Sequence, residues 1–200
     1  MYKTLWKEIM TDNRTIEYRF LHWGPFVCNY TLLPEELEAF KKIESGEDYR
    51  KELAGHLNNE KGLDKSEVFK ILRPYFESYI KGYYEYRKEP LCTGLEMITA
   101  WINRQKKNEF NPPHTHDGDL SFVLYTEIPE GLEKECKESV HNSPGPGCIT
   151  FDFNMPFSVG SSKLFLHTHS HLPAVGDFFI FPAALPHWVY PFKTTEGERV

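Results

Sequence analysis

The run Asn111-Pro-Pro-His114-Thr-His116-Asp117-Gly-Asp119-Leu-Ser-Phe-Val-Leu-Tyr125 constrains this chain more than any other stretch of it. Two prolines hold its approach extended, because proline fixes its own φ and pushes the preceding residue out of the helical region. Residues 120–125 are apolar and rich in strand formers. A strand that already begins near His114 places His114 and His116 on one face, roughly 7 Å apart along the backbone. Two imidazoles on one face can grip one metal ion. The rest of the chain must then supply another ligand, a pocket and a scaffold.

Two hundred residues suit a single domain with a substantial core. The formal net charge of −6 gives no global basic field, so general nucleic-acid binding is not expected. Cys28, Cys92, Cys136 and Cys148 are scattered and form no CxxC pair, which reads as free thiols in a reducing compartment. The first ten residues mix Lys and Glu with apolar residues, unlike a signal peptide. No apolar run approaches the ~18 residues that a membrane helix needs. A soluble cytoplasmic protein without membrane association is expected.

Residues 15–32 mix β-branched and aromatic residues around a Gly-Pro break, which predicts one or two strands, with His22 packed among them. From Pro34 a helix is expected: Glu35, Glu36 and Glu38 suit its start, Leu37, Phe40 and Ile43 recur at helical spacing, and Ser45-Gly46 ends it. Residues 48–57 read as a second helical patch with His56 on its surface. Asp64-Lys-Ser-Glu67 resembles a capping box opening a third helix. Its apolar face runs from Val68 to Ile80, Pro74 is expected to kink it, and Tyr75, Tyr79, Tyr83 and Tyr86 form a packing stripe. Residues 1–90 therefore read as a helical support region with N-terminal strands.

Residues 91–200 read as a β core. Strands are expected over 95–103, from His114 through Tyr125, and over 148–153, 163–169 and 174–182, followed by the run 185–192. Residues 130–147, rich in Gly and Pro, read as an exposed loop. Many short strands with few helices among them predict an antiparallel sandwich or barrel.

A catalytic metal needs protein ligands on one side and open positions on the other, as two histidines and a carboxylate provide for non-haem Fe(II). Here His114-x-His116 is the proximal pair, and His187, in Phe181-Pro-Ala-Ala-Leu-Pro-His187-Trp-Val-Tyr-Pro, is the distal candidate. Twelve residues beyond it, Arg199 offers a guanidinium that can hold a dicarboxylate through a bidentate contact. His167, His169 and His171 form a second alternating trio, read as exposed or packed strand histidines with a rival metal site, a proton relay or a substrate-facing strip as alternatives.

The ordered set Trp101-x-Asn103, Asn111…His114-x-His116, Leu120-Ser121…Tyr125, Gly176-Asp177-x3-Phe181-Pro182, His187-x-Val189-x-Pro191 and Glu198-Arg199 resembles the 2-oxoglutarate/Fe(II)-dependent oxygenases, over about residues 95–200. More narrowly it is similar to a bacterial and phage branch of them, with prolyl hydroxylases among the wider relatives. The resemblance implies a double-stranded β-helix of jelly-roll type, bound Fe(II), and 2-oxoglutarate consumed with O2 to give succinate and CO2. It implies His114 and His187 as metal ligands and Arg199 on the far carboxylate of 2-oxoglutarate. It further implies Tyr125 and Asn103 beside that co-substrate, and Trp101 and Trp188 as wall residues. The substrate implied is a peptidyl residue, prolyl for instance, or a small molecule.

Two departures from the pattern stand out. The carboxylate of H-x-D is replaced by His116, giving a three-His site. Asp119 or Asp117 is a second choice for that ligand. In a third reading His116 is the first ligand and Gly118 leaves a vacancy, as in halogenating members. The family pattern also continues past the arginine with a short strand, whereas this sequence stops one residue later, so a cropped chain or a shortened wall is expected. Three histidines alone also suit a cupin-type metal enzyme without 2-oxoglutarate, and a non-catalytic jelly roll that binds a ligand is the remaining alternative.

Overall fold

A computed structural model describes residues 7–11, 14–18, 24–88, 94–140, 145–153, 168–193 and 196–200. Strands β1 (Lys7–Thr11) and β2 (Arg14–Tyr18) pair as an antiparallel hairpin. The expectations for His22, Cys92 and His167 fall outside the described residues.

Two antiparallel sheets face each other. One has three strands in the order β3 (Cys28–Thr31), β11 (Asp177–Pro182), β8 (Leu120–Leu124). The other has four, in the order β10 (Thr168–His171), β9 (Ile149–Asp152), β12 (His187–Val189), β7 (Asn111–His114). Strand β11 explains how they pack. Its residues 178–181 are all buried, but alternate residues go to different cores. Phe179 and Phe181 join Ile149, Phe151 and Val189 between the two sheets. Phe178 and Ile180 face the other way, against helices α1 (Pro34–Lys41) and α2 (Lys65–Arg87).

The helices form where their caps and apolar faces are. Asp64 accepts from the backbone N–H of Ser66 and Glu67, satisfying two of the amides that a helix start leaves free. Val68, Leu72, Phe76 and Tyr79 then share the face that covers the sheet. The helix runs without a break through Pro74. Tyr79 belongs to this core and donates to the carbonyl of Phe26, while Tyr86 is exposed.

Several local expectations are corrected. Residues 48–57 form no α-helix: β4 (Ser45–Asp48) pairs with β5 (Glu60–Leu63), and only a single 3-10 turn, Arg50–Glu52, lies between them. Asp48 accepts three side-chain contacts from Arg50, which ties that segment into a turn. His56 is on the surface, stacked on Phe110. Only the end of the run 95–103 is strand: β6 (Trp101–Asn103) closes the third sheet, β4-β5-β6. Gly/Pro content hid a short helix, α3 (Leu132–Glu138), in the expected loop 130–147. Of the strand expected over 163–169, the described part begins at Thr168 and continues to His171.

The largest correction concerns the anchor stretch. It is not one strand but two, in different sheets. Strand β7 ends at His114, residues 117–119 bend, and β8 begins at Leu120. Gly118 makes the bend with φ +88°, a left-handed value that favours glycine.

Candidate active site

Strand β7 lies at the edge of its sheet, where prolines are tolerated because fewer amides are required for pairing. Asn111 pairs with Val189 and His114 with His187, so three steps on β7 match two on β12. This bulge turns both Asn111 and His114 toward the interior. His116 lies past the strand end. Its backbone N–H donates to the carbonyl of Ala183 at 2.9 Å, and Ala183 donates to Asp119 at 3.0 Å, which pins the loop against the turn after β11.

The three imidazoles of His114, His116 and His187 converge, each with a ligand nitrogen within 4.8 Å of the others. His116 Nε2 and His187 Nε2 are 3.2 Å apart. Nitrogens bound to one ion at about 2.1 Å with angles near 90–109° stand roughly 3.0–3.4 Å apart, so the pair fits a shared metal. His114 Nδ1 donates to the Pro112 carbonyl at 2.7 Å and His187 Nδ1 to the Leu185 carbonyl at 3.0 Å. Both bonds leave Nε2 with its lone pair free, the outer-shell arrangement expected of metal-ligating histidines. Burial keeps two of the rings neutral: the pKa of His187 is lowered to about 3 and that of His116 to about 4. Asp117 and Asp119 are exposed and stand outside the cluster.

The cluster opens on a cleft of about 1190 Å3 that also takes in Asn103, Tyr125 and Arg199. Arg199 is held by paired backbone bonds with Gln105, both 2.9 Å, and its side chain is enclosed. The guanidinium donates to the Gly147 carbonyl at 3.0 Å and lies over the Tyr125 ring at 5.3 Å. Gly147 has φ +68°, and a Cβ there would meet the Leu132 side chain at 2.8 Å, so glycine is favoured where that carbonyl turns toward Arg199. Among the described residues no carboxylate pairs with Arg199, and burial lowers its pKa. Tyr125 Oη and Asn103 Oδ1 are buried, with no hydrogen-bond partner among the described residues. Burial pushes the Tyr125 hydroxyl up to about 12, so it stays a donor. A cation without an anion, beside unused polar groups and three metal-ready imidazoles, is the chemistry of a site for a metal and a carboxylate ligand.

Residues 99–200 match the family model described as "Putative 2OG-Fe(II) oxygenase". The chain belongs to this 2-oxoglutarate/Fe(II) oxygenase family. Among curated proteins no match is found. The oxygenase family implies Fe(II) and 2-oxoglutarate, and the donor set described above fits both. Trp101 stands in the wall, its ring 5.3 Å from that of His116 and stacked with Tyr49. Of the second trio, the described members His169 and His171 join no ligand cluster among the described residues. His169 is exposed, and His171 bonds Asp177 at 2.7 Å, closing the turn before β11. Sequence reasoning missed the carbonyls of Pro112, Leu185 and Gly147, which aim three of the side chains. It also missed Glu60, whose setting among other charged residues carries no signal.

Among the described residues, no helix of this oxygenase is long and apolar enough to cross a membrane. Cys136 and Cys148 Sγ atoms lie 3.7 Å apart, and these two and Cys28 are free thiols.

Proposed function

We propose that this protein is an Fe(II)- and 2-oxoglutarate-dependent dioxygenase that hydroxylates a C–H bond of a peptidyl residue, such as proline, or of a small molecule. We further propose that its two facing sheets are the halves of a double-stranded β-helix. The observation that carries the reading is Arg199: a buried guanidinium with no carboxylate partner among the described residues, opening on the same cleft as three converging imidazoles.

His114, His116 and His187 hold the metal, with His116 in place of the carboxylate. The carbonyls of Pro112 and Leu185 fix two rings so that Nε2 faces the ion. Arg199 takes the far carboxylate of 2-oxoglutarate through a charge-assisted contact. Tyr125 donates to the same carboxylate, and Asn103 presents its amide from the neighbouring strand. Iron with 2-oxoglutarate and O2 supplies the oxidising chemistry, with succinate and CO2 as the co-products. Phe151, Phe181 and Val189 pack behind His187 and exclude water from that side.

Three imidazoles would also serve a cupin-type zinc or iron centre without 2-oxoglutarate. The three-His donor set suits that second reading; the buried Arg199 favours the first, because it calls for a carboxylate beside the metal and 2-oxoglutarate supplies one. The test is Fe(II)-dependent conversion of 2-oxoglutarate to succinate, with and without candidate peptides. The expected result is turnover that His187→Ala abolishes. Metal binding without 2-oxoglutarate consumption would favour the cupin reading. No metal binding at all would leave a jelly-roll binding protein.

A further inference from the structure

Glu60 is 1 % exposed, and among the described residues neither of its carboxylate oxygens has a hydrogen-bond partner. Its neighbour Glu109 shows what a satisfied buried carboxylate looks like here: it accepts from the Asn58 backbone and side chain and from the Lys106 backbone. An ionised group buried without partners is strongly disfavoured unless something completes it. Glu60 faces a place where something can. It pairs with Asn103 across β5 and β6, and directly opposed residues share a face. Trp101, two residues along β6, is on that face too, and its ring touches His116. Glu60 Oε1 and Asn111 Oδ1 both lie 2.5 Å from the point where a Gly55 Cβ would stand, so two oxygen acceptors converge beside a glycine that leaves them room. All of these residues line the cleft that contains the histidines.

The charge of that cleft points the same way. Among the described residues its lining includes Glu52, Glu60, Glu96, Asp117 and Asp119, with Arg199 as the one Lys or Arg. Under the oxygenase reading Arg199 is committed to 2-oxoglutarate. The remaining field is that of four exposed carboxylates around one buried one, which attracts a cation and disfavours an anion.

We infer that Glu60 is the docking point for a cationic group of the primary substrate, an ammonium or guanidinium on a peptidyl side chain or a free amine, and that this contact sets which C–H faces the histidine cluster. The assignment rests on the oxygenase reading for the reaction, but not for the binding. Asn111 adds an acceptor for a second N–H of the same group. A neutral isostere leaves Glu60 unpaired, so discrimination comes from the cost of that vacancy as much as from the contact.

The test is titration calorimetry of the whole protein with three probes: Nα-acetyl-lysine methylamide, agmatine, and the uncharged isostere Nα-acetyl-norleucine methylamide. The expected result is that the cationic probes bind roughly thirtyfold or more tighter than the norleucine probe, and that Glu60→Gln removes this preference. A lead for capped lysine over agmatine, or the reverse, supports the assignment and identifies a peptidyl or a free-amine source. Equal affinity of wild-type protein for charged and uncharged probes overturns it, and needs no variant to be folded. A preference that survives unchanged in Glu60→Gln also overturns it. Succinate formation is measured on the same preparations. Normal 2-oxoglutarate turnover without Glu60-dependent binding overturns this assignment alone. Glu60-dependent binding without 2-oxoglutarate turnover overturns the oxygenase reading and supports this one.

Discussion

Arg199 and Glu60 are two buried charges that face the same cleft, and each makes a distinct prediction. Replacing Arg199 by Ala removes the proposed partner of the co-substrate, so the 2-oxoglutarate concentration needed for half-maximal turnover should rise roughly thirtyfold or more. Arg199→Lys should recover part of it, since charge is kept but the planar fork is lost. Titration of 2-oxoglutarate against succinate formation checks this, and a loss of fold stability with unchanged 2-oxoglutarate dependence would make the residue structural. For Glu60, burial first and the Glu109 charge second push the pKa up to about 7. Below the ordinary carboxylate range Glu60 is protonated folded or unfolded and costs nothing. As pH rises from about 4.5 through about 7, the unfolded chain ionises first and the folded state loses stability. The difference between Glu60→Gln and wild type should therefore grow over that window, to on the order of 1–2 kcal/mol. Chemical denaturation of both proteins at pH 5 and pH 8 measures it. Taking the difference cancels the opposite trend from His116 and His187, whose lowered pKa values favour the folded state as pH rises.

At the scale of the element, the site depends on a bulge. Asn111 and His114 both face inward because β7 spends one more residue than β12 between their pairings. Deleting Pro113 should restore even pairing and turn one of those side chains away from the cleft. Metal affinity should then fall about a hundredfold or more, with little change in far-UV circular dichroism, whereas Pro113→Ala should keep most of it. This also shows why part of the site was legible in the sequence and part was not. The Asn-Pro-Pro-His-Thr-His stretch and the His187 context pointed to three residues that do converge. The single strand expected from His114 through Tyr125 is instead the end of one strand and the start of another, because period-2 spacing cannot reveal that a glycine bend moves the chain to another sheet. Likewise the helix expected over 48–57 yields to Asp48 and Arg50, whose local ion pair favours a turn.

For the molecule as a whole, β11 joins the two cores, and the helical layer lies on the sheet face away from the strand-on-strand core. The apolar spacing of α2 and the run Phe178–Phe181 made that layering readable. Which face of β11 met which layer was not, since every residue of the run is apolar. Phe178 is fully buried among Tyr30, Tyr75, Phe76 and Phe122. Phe178→Ala should cost about 3–5 kcal/mol of stability yet leave the metal affinity of the folded fraction unchanged. Urea unfolding alongside metal titration separates the two, and a large loss of metal affinity would mean that the helical layer tensions the site directly. Glu60 comes from the third sheet, outside the matched segment, and neither composition nor spacing marked it.

The central claim is that three imidazoles and Arg199 together hold a metal and 2-oxoglutarate. Its most direct test is anaerobic titration with Fe(II), then with 2-oxoglutarate, followed by visible absorption. A weak charge-transfer band should appear only when both are present, be absent in His187→Ala, and require far more 2-oxoglutarate in Arg199→Ala. Tight Fe(II) binding with no spectral response to 2-oxoglutarate, or a wild-type response in His187→Ala, would contradict the account.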